Sequence, residues 1–166
     1  MMSLEIFSGS ASWPEAMRAS GWVTQAFDYD SDPADDILCN ERFSWLLHLI
    51  IERRVGNVRL GAPCRSWTRA RDPPLRSDHC LVNGLPGLTP HPRSLVVEGN
   101  ELLRRSLVIL NLCCAFGIPV TLENPESSRL WLHPEVRRSW RVVFVWRGDG
   151  LLHVWQAVQE AYENFG

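Results

Sequence analysis

The chain has no lysine; all 17 of its lysine-or-arginine positions are arginine. That absence excludes a lysine Schiff base and a lysine general base. No apolar run is long enough to span a bilayer without a charge in it. The opening residues, Met-Met-Ser-Leu-Glu-Ile, hold no basic region followed by an apolar stretch, so no secretory leader is read there. No Cys-x-x-Cys or His-x-x-x-His spacing occurs, and no metal site is expected. Strong positive charge is also lacking, since the formal net charge is −2. Any grip on phosphates must come from a local patch and not from the global field. There is no internal repeat and no low-complexity tract. At 166 residues the reading is one domain, 1–166, with room for a real core.

Five cysteines are present: Cys39, Cys64, Cys80, Cys113 and Cys114. An odd count without a leader favours reduced thiols and an intracellular protein, cytoplasmic or nuclear, with no membrane partner. Cys113 and Cys114 fall in an apolar helical pattern, where cysteine acts as a small hydrophobe.

The periodicity alternates between strand and helix. Residues 3–8 and 22–28 read as strands, joined by a small-residue turn and a short helix. Ser12 can cap that helix, and Pro14 and Glu15 suit its first turn. An acidic, turn-rich stretch, 29–36, follows. Residues 41–54 show helical spacing with Phe43, Leu46, Leu47, Ile50 and Ile51 on one face. Val58-Arg59-Leu60 reads as a third strand. A proline-rich loop covers 71–93, and a loop this long is usually functional or disordered. A long helix spans 94–116 and a strand 118–122. A further strand covers 141–146, Gly148–Gly150 makes a turn, and a last helix presents Leu151, Val154, Trp155, Val158, Tyr162 and Phe165. This order predicts an α/β fold: a Rossmann-like three-layer sandwich around a mostly parallel central sheet.

Two polar residues stand at the ends of apolar runs. Cys64 follows Gly61-Ala62-Pro63, and Glu123 closes Val120-Thr121-Leu122. In open α/β sheets, ligands bind at the carboxyl ends of strands, so both residues are candidates for chemistry. A thiol beside a carboxyl group fits nucleophilic catalysis with an acid at hand. Arg65, Arg69 or Arg71 can lower the thiol's pKa. The plainer reading of Cys64 is a structural cysteine at a strand end. Pro125 holds Asn124 extended and so fixes the direction of Glu123. The plainer reading of Glu123 is an ion pair with an arginine, Arg129 being one candidate. Asp28 ends its strand where an acid commonly binds ribose hydroxyls. Arg69, Arg71, Arg76 and Arg93, in or beside the long loop, are candidates for phosphate contacts. The pairs Arg53-Arg54, Arg104-Arg105 and Arg137-Arg138 read as solvated helix faces.

Taken in order, Phe7-Ser8-Gly9-Ser10-Ala11, Ala62-Pro63-Cys64 and Glu123-Asn124-Pro125 resemble three motifs of the cytosine-5 DNA methyltransferase family. These are its Phe-x-Gly-x-Gly cofactor turn, its Pro-Pro-Cys catalytic loop and its Glu-Asn-Val motif. The wider text around them is similar to a divergent branch of that family, over residues 3 to 135. The chain differs in having Ala11 for the second glycine, Ala62 for the first proline and Pro125 for valine. No Gln-x-Arg-x-Arg follows, and no target-recognition region is evident.

The resemblance implies S-adenosylmethionine as cofactor and DNA as substrate, with RNA as a second option. A protein partner would supply target recognition. Cys64 would attack C6 of a cytosine flipped from its stack, and Glu123 would hydrogen-bond N3 and the exocyclic amine. Phe7, Gly9, Ser10, Asp28, Asp36 and Pro63 would hold the cofactor. Arg65, Ser66, Arg69, Arg71 and Arg76 would meet the nucleic acid as the proline-rich loop closes over it. The alternative is a catalytically inactive, methyltransferase-like module that binds a nucleotide or a partner. A third reading is an enzyme of another class using Cys64 as its nucleophile.

Overall fold

Parallel strands need crossovers, and here helices supply them. The computed structural model describes residues 2–9, 12–139 and 144–146. Strands β1 (Met2–Ile6), β2 (Val23–Phe27), β3 (Val55–Leu60), β4 (Val120–Glu123) and β5 (Phe144–Trp146) form one sheet in the order β2-β1-β3-β4-β5. Every neighbouring pair is parallel. Helices α1 (Ser12–Ala19), α2 (Asn40–Ile51), α3 (Pro90–Ala115) and α4 (Pro134–Ser139) lie between them in sequence. The step from β1 to β2 runs one way along the sheet, and all later steps run the other way. Right-handed crossovers therefore place α1 on one face and the other helices on the opposite face. This is the three-layer α/β sandwich, Rossmann-like, that the alternation predicts.

The two faces differ in chemistry. Toward α2 and α3, the sheet presents Leu4, Ile6, Val58, Leu60, Val120 and Leu122, all buried in the main core. The alternate positions, pointing the other way, are polar: Ser3 and Glu5 on β1, Asn57 and Arg59 on β3, Thr121 and Glu123 on β4. The period-2 rule of a strand turns one sequence pattern into two unlike surfaces. Val55 joins the apolar face although it breaks the alternation. The pairing with β1 slips between Met2 and Ser3, and the extra residue restores the phase. On the polar face, Ser3 donates to Asn57 Oδ1 at 2.7 Å. Helix α1 adds Trp13 and Met17, both buried.

Several expectations need correction. Helix α3 begins at Pro90, because Thr89 takes the cap position and proline is tolerated in a first turn where amides lack partners anyway. The core face of α2 is Leu46, Leu49 and Ile50, while Ile51 is exposed. Arg105 is not on a solvated face. It is 7% exposed and donates to the carbonyl of Ile37 and to Asn40 Oδ1, both at 2.7 Å, tying α3 to the loop ahead of α2 and to the first residue of α2. The stretch after Glu123 holds a 3₁₀ turn (Arg129–Leu132) and α4, neither foreseen from periodicity. Both are too short to show a helical repeat in sequence. Ser10, Ala11, residues 141–143, the Gly148–Gly150 turn and the expected last helix with Leu151, Val154, Trp155, Val158, Tyr162 and Phe165 lie outside the described residues. Among the described residues, no helix is long and apolar enough to cross a membrane.

Candidate functional site

The order of the sheet reverses between β1 and β3, and at such a switch point the loops leaving the strands part to form a crevice. A cleft of about 1030 Å³ lies there. Its walls include Phe7, Ser8 and Gly9 after β1, Asp28 after β2, Gly61 to Ser66 after β3, and Glu123 to Pro125 at the end of β4. Cys64, Glu123, Phe7, Gly9, Asp28, Asp36, Pro63, Arg65 and Ser66 thus share one cavity, though they span more than half the chain. Arg69, Arg71 and Arg76 do not line it.

The turn after β1 is held in an unusual conformation. Phe7 has φ of 65° and Gly9 of 50°. Left-handed backbone is costly for phenylalanine and free for glycine. The Phe7 amide donates to the Phe27 carbonyl at 2.7 Å, and the Gly9 amide to Asp28 Oδ2 at 2.7 Å. The other Asp28 oxygen accepts from the Asp30 amide at 2.9 Å. Asp28 therefore shapes the turn, while each carboxylate oxygen keeps lone-pair capacity for a ligand. Across the cleft, a side chain on Gly61 would meet the Phe7 carbonyl oxygen at 2.8 Å, so only glycine lets these two loops approach. Asp36 closes a local turn by accepting from the Leu38 amide at 2.8 Å. Asp28, Asp30, Asp35 and Asp36 give this end of the cleft a negative character; Asp35 is paired with Arg42.

At the other end, Cys64 begins a tight turn whose carbonyl accepts from the Trp67 and Thr68 amides, both at 2.8 Å. Asn124 Nδ2 donates to the Ala62 carbonyl and so ties the Glu123 segment to the Pro63-Cys64 turn. The Cys64 side chain is half-buried. Glu123 is ion-paired with Arg59, and not with Arg129, which instead joins Arg69 on Asp78. Arg59 also holds Glu5, whose side chain is fully buried. Trp13 faces the Arg59 guanidinium at 5.4 Å. Burial pushes Glu5 up to about 7, and the nearby Glu123 and Asp28 charges add to this, against the pull of Arg59.

The expectation that Arg76 faces a phosphate is overturned by its position. It is 1% exposed and stacks on Trp67 with its guanidinium carbon 3.5 Å from the ring centroid. Its donors go to the Ser66 carbonyl at 3.1 Å, Ser66 Oγ at 3.0 Å, the Val96 carbonyl at 2.9 Å, Asn100 Oδ1 at 2.8 Å and the Leu81 carbonyl. No donor is left for a ligand. Ser66 is likewise buried, with its hydroxyl engaged by Arg76. Leu75 packs with Leu95 and Val96 of α3. The proline-rich loop is thus a packed strap that fixes the backbone just past Cys64. Arg69 is exposed and paired with Asp78; Arg71 is half-buried, with its Nε unpartnered among the described residues.

Sequence reasoning missed Arg59 and Glu5 as members of the site. The signal was there: Leu-Glu-Ile, Val-Arg-Leu and Thr-Leu-Glu each place a charge in alternation with buried apolar residues. What sequence could not supply was the register that lines these charges up. A comparison of the chain with protein-family models, curated proteins and solved structures gives no match in any of the three.

Proposed function

We propose that the chain is an S-adenosylmethionine-dependent methyltransferase acting on cytosine C5 in nucleic acid, with Cys64 as nucleophile and Glu123 as the group that binds the base edge. One observation carries this reading. Cys64 and Glu123, leaving the adjacent parallel strands β3 and β4, line the same cleft as the Phe7–Gly9 turn and Asp28. The division of the cleft supports it as well. Its acidic end suits a cationic sulfonium and ribose hydroxyls, and its thiol end suits an electrophilic ring carbon.

The cofactor fits the residues present. Gly9 and Asp28 would lie along its ribose and methionine portions, and Asp36 near its adenine. When bound, it supplies an electrophilic methyl group. The residues then divide the work. The Cys64 thiolate bonds to C6 of the ring, which makes C5 nucleophilic. Glu123 holds the exocyclic amine and orients the ring. After methyl transfer, a base removes the C5 proton, the bond to Cys64 breaks, and the ring regains its double bond.

The test begins with calorimetric titration of S-adenosylmethionine and S-adenosylhomocysteine into the protein. An oligonucleotide containing 5-fluorocytosine is then added with S-adenosylmethionine. A base cannot abstract fluorine from C5 as it does the proton, so the bond to Cys64 is not released and the mass of the adduct is read on the Cys64 peptide. Cofactor binding with an adduct lost in Cys64→Ser is the expected result. Cofactor or nucleotide binding without an adduct points to the non-catalytic module, and binding of neither removes the methyltransferase reading.

A further inference from the structure

The floor of the cleft holds a charge arrangement that the three motifs do not explain. Glu5, Arg59 and Glu123 stand on three neighbouring strands, β1, β3 and β4, all on the polar face of the sheet. In the strand pairing, Glu5 is opposite Arg59 and Arg59 opposite Thr121, so Glu123 lies one pleat further toward the carboxyl ends. Arg59 bridges the two carboxylates, giving Nη1 to Glu5 and Nη2 to Glu123. Glu5 is the anchor: its side chain is fully buried and it does not line the cleft. Arg59 and Glu123 do line it, with side-chain exposures of 15% and 36%.

A half-buried Arg59 with two carboxylate partners is held in place at both ends of its fork. A guanidinium carries five N–H donors, and not all are spent on these two bonds. The floor beside Cys64 therefore offers a carboxylate acceptor next to a fixed cationic donor. Among pyrimidine edges, cytosine presents an amine donor next to a ring-nitrogen acceptor. Uracil and thymine present the reverse, a carbonyl acceptor next to a ring N–H. An acceptor–donor floor matches the first and opposes the second.

Resting on the cytosine reading above, we propose that Arg59, anchored by Glu5, reads the base together with Glu123. Glu123 accepts from the exocyclic amine, and a remaining Arg59 N–H donates to the adjacent ring nitrogen, an atom the resemblance alone would give to Glu123 but to which an ion-paired carboxylate has no proton to donate. The same donation draws electron density from the ring and favours attack by Cys64 at C6. Glu5 touches no substrate; it is a positioning residue for Arg59. Its role explains a carboxyl buried beneath a cleft with Oε2 lacking a hydrogen-bond partner among the described residues. A charge in that place is costly unless it holds a partner where it is needed.

Binding tests this apart from catalysis. The probes are single-stranded oligo-dA carrying one central dC or one central dU, with affinity read by fluorescence anisotropy in the presence of S-adenosylhomocysteine. The wild-type chain is expected to prefer the dC strand by about tenfold, as for a well-placed pair of hydrogen bonds to a base edge. Arg59→Met is expected to bring the two affinities to within about twofold, and Arg59→Lys to keep part of the preference, because lysine donates without the fork. Glu5→Gln should lose part of the preference while binding S-adenosylhomocysteine as the wild type does. Carbon-13 titration of glutamate carboxyls supplies a second readout that needs no ligand: Glu5, which Arg59 pulls down against the effect of burial, should titrate higher in Arg59→Met than in wild type. Preference kept in full by Arg59→Met, or a wild type that binds dC and dU strands equally or binds neither, overturns the proposal. A dC preference that depends on Arg59, without any adduct on Cys64, overturns the catalytic reading and leaves the base-reading pair standing.

Discussion

Replacing Arg76 with alanine should cost the fold more than any other single change to a charged residue on the strap. The guanidinium is the hub through which the strap reaches α3. Removing it orphans the carbonyls of Ser66 and Leu81, Ser66 Oγ and Asn100 Oδ1, takes a second donor from the Val96 carbonyl of α3, and empties the face of Trp67. A buried acceptor left without a donor costs about 1–3 kcal/mol, and water entering the polar cavity recovers part of the total. Because the acceptors share one donor group, the costs do not simply add. The expected loss is about 3–5 kcal/mol, as for breaking a buried, hydrogen-bonded charge cluster. That is a large share of the ~5–15 kcal/mol that domains commonly possess. Arg76→Lys should fall between, since its compact ammonium offers three donors to acceptors spread around a fork. Burial lowers Arg76 to about 10, so the side chain is charged at neutral pH. Urea denaturation followed by tryptophan fluorescence measures the change, and labelling of Cys64 by a thiol reagent reports local loosening. A loss below about 1 kcal/mol with an unchanged denaturant slope would refute the hub, because a peripheral arginine behaves that way.

Gly99→Ala should destabilise by about 1–3 kcal/mol in the same assay, because a Cβ there would sit 2.2 Å from Ser66 Oγ and push the strap off α3. Glu5 gives the stability a pH dependence. Its carboxyl is raised from 4.5 to about 7, so the folded chain holds that proton more tightly than the unfolded one. The contribution is full below about pH 4.5 and is lost as pH rises through 7, on the order of 3 kcal/mol in all. Glu5→Gln should flatten that part of the profile in urea titrations from pH 5 to 8, and an unchanged slope would contradict the burial of a chargeable Glu5. Cys113, fully buried and pushed up to about 12, should resist thiol reagents in the folded chain while Cys64 reacts. Equal rates at the two cysteines would place Cys64 out of reach.

Local chemistry in the sequence was enough to place the strands and helices in order. The apolar runs ahead of Cys64 and Glu123 marked strand ends, the apolar repeat over 94–116 marked most of the long helix, and the alternation of elements implied a mostly parallel sheet, while Pro90 to Arg93 read as loop. These features depend on near neighbours in the chain, so one sequence carries them. The boundaries were less legible: Val55 belongs to β3 because its backbone pairs with Met2, a partner 53 positions away.

The roles of the arginines were decided only in three dimensions. By sequence, Arg59 sat inside an apolar run, Arg76 read as a phosphate contact in the long loop, and Arg105 as part of a solvated helix face. Register placed Arg59 between two carboxylates at the cleft floor. The closing of the strap on α3 buried Arg76 under Ser66 and Trp67, and helix packing turned Arg105 inward to the Ile37 carbonyl. A charge is tolerated inside only where enough acceptors converge on it, and such convergence is a property of distant segments brought together. The sequence by itself determined which elements form and which strand ends carry a thiol and a carboxyl group. The tertiary structure alone decided which charges share a cleft and which are locked beneath it.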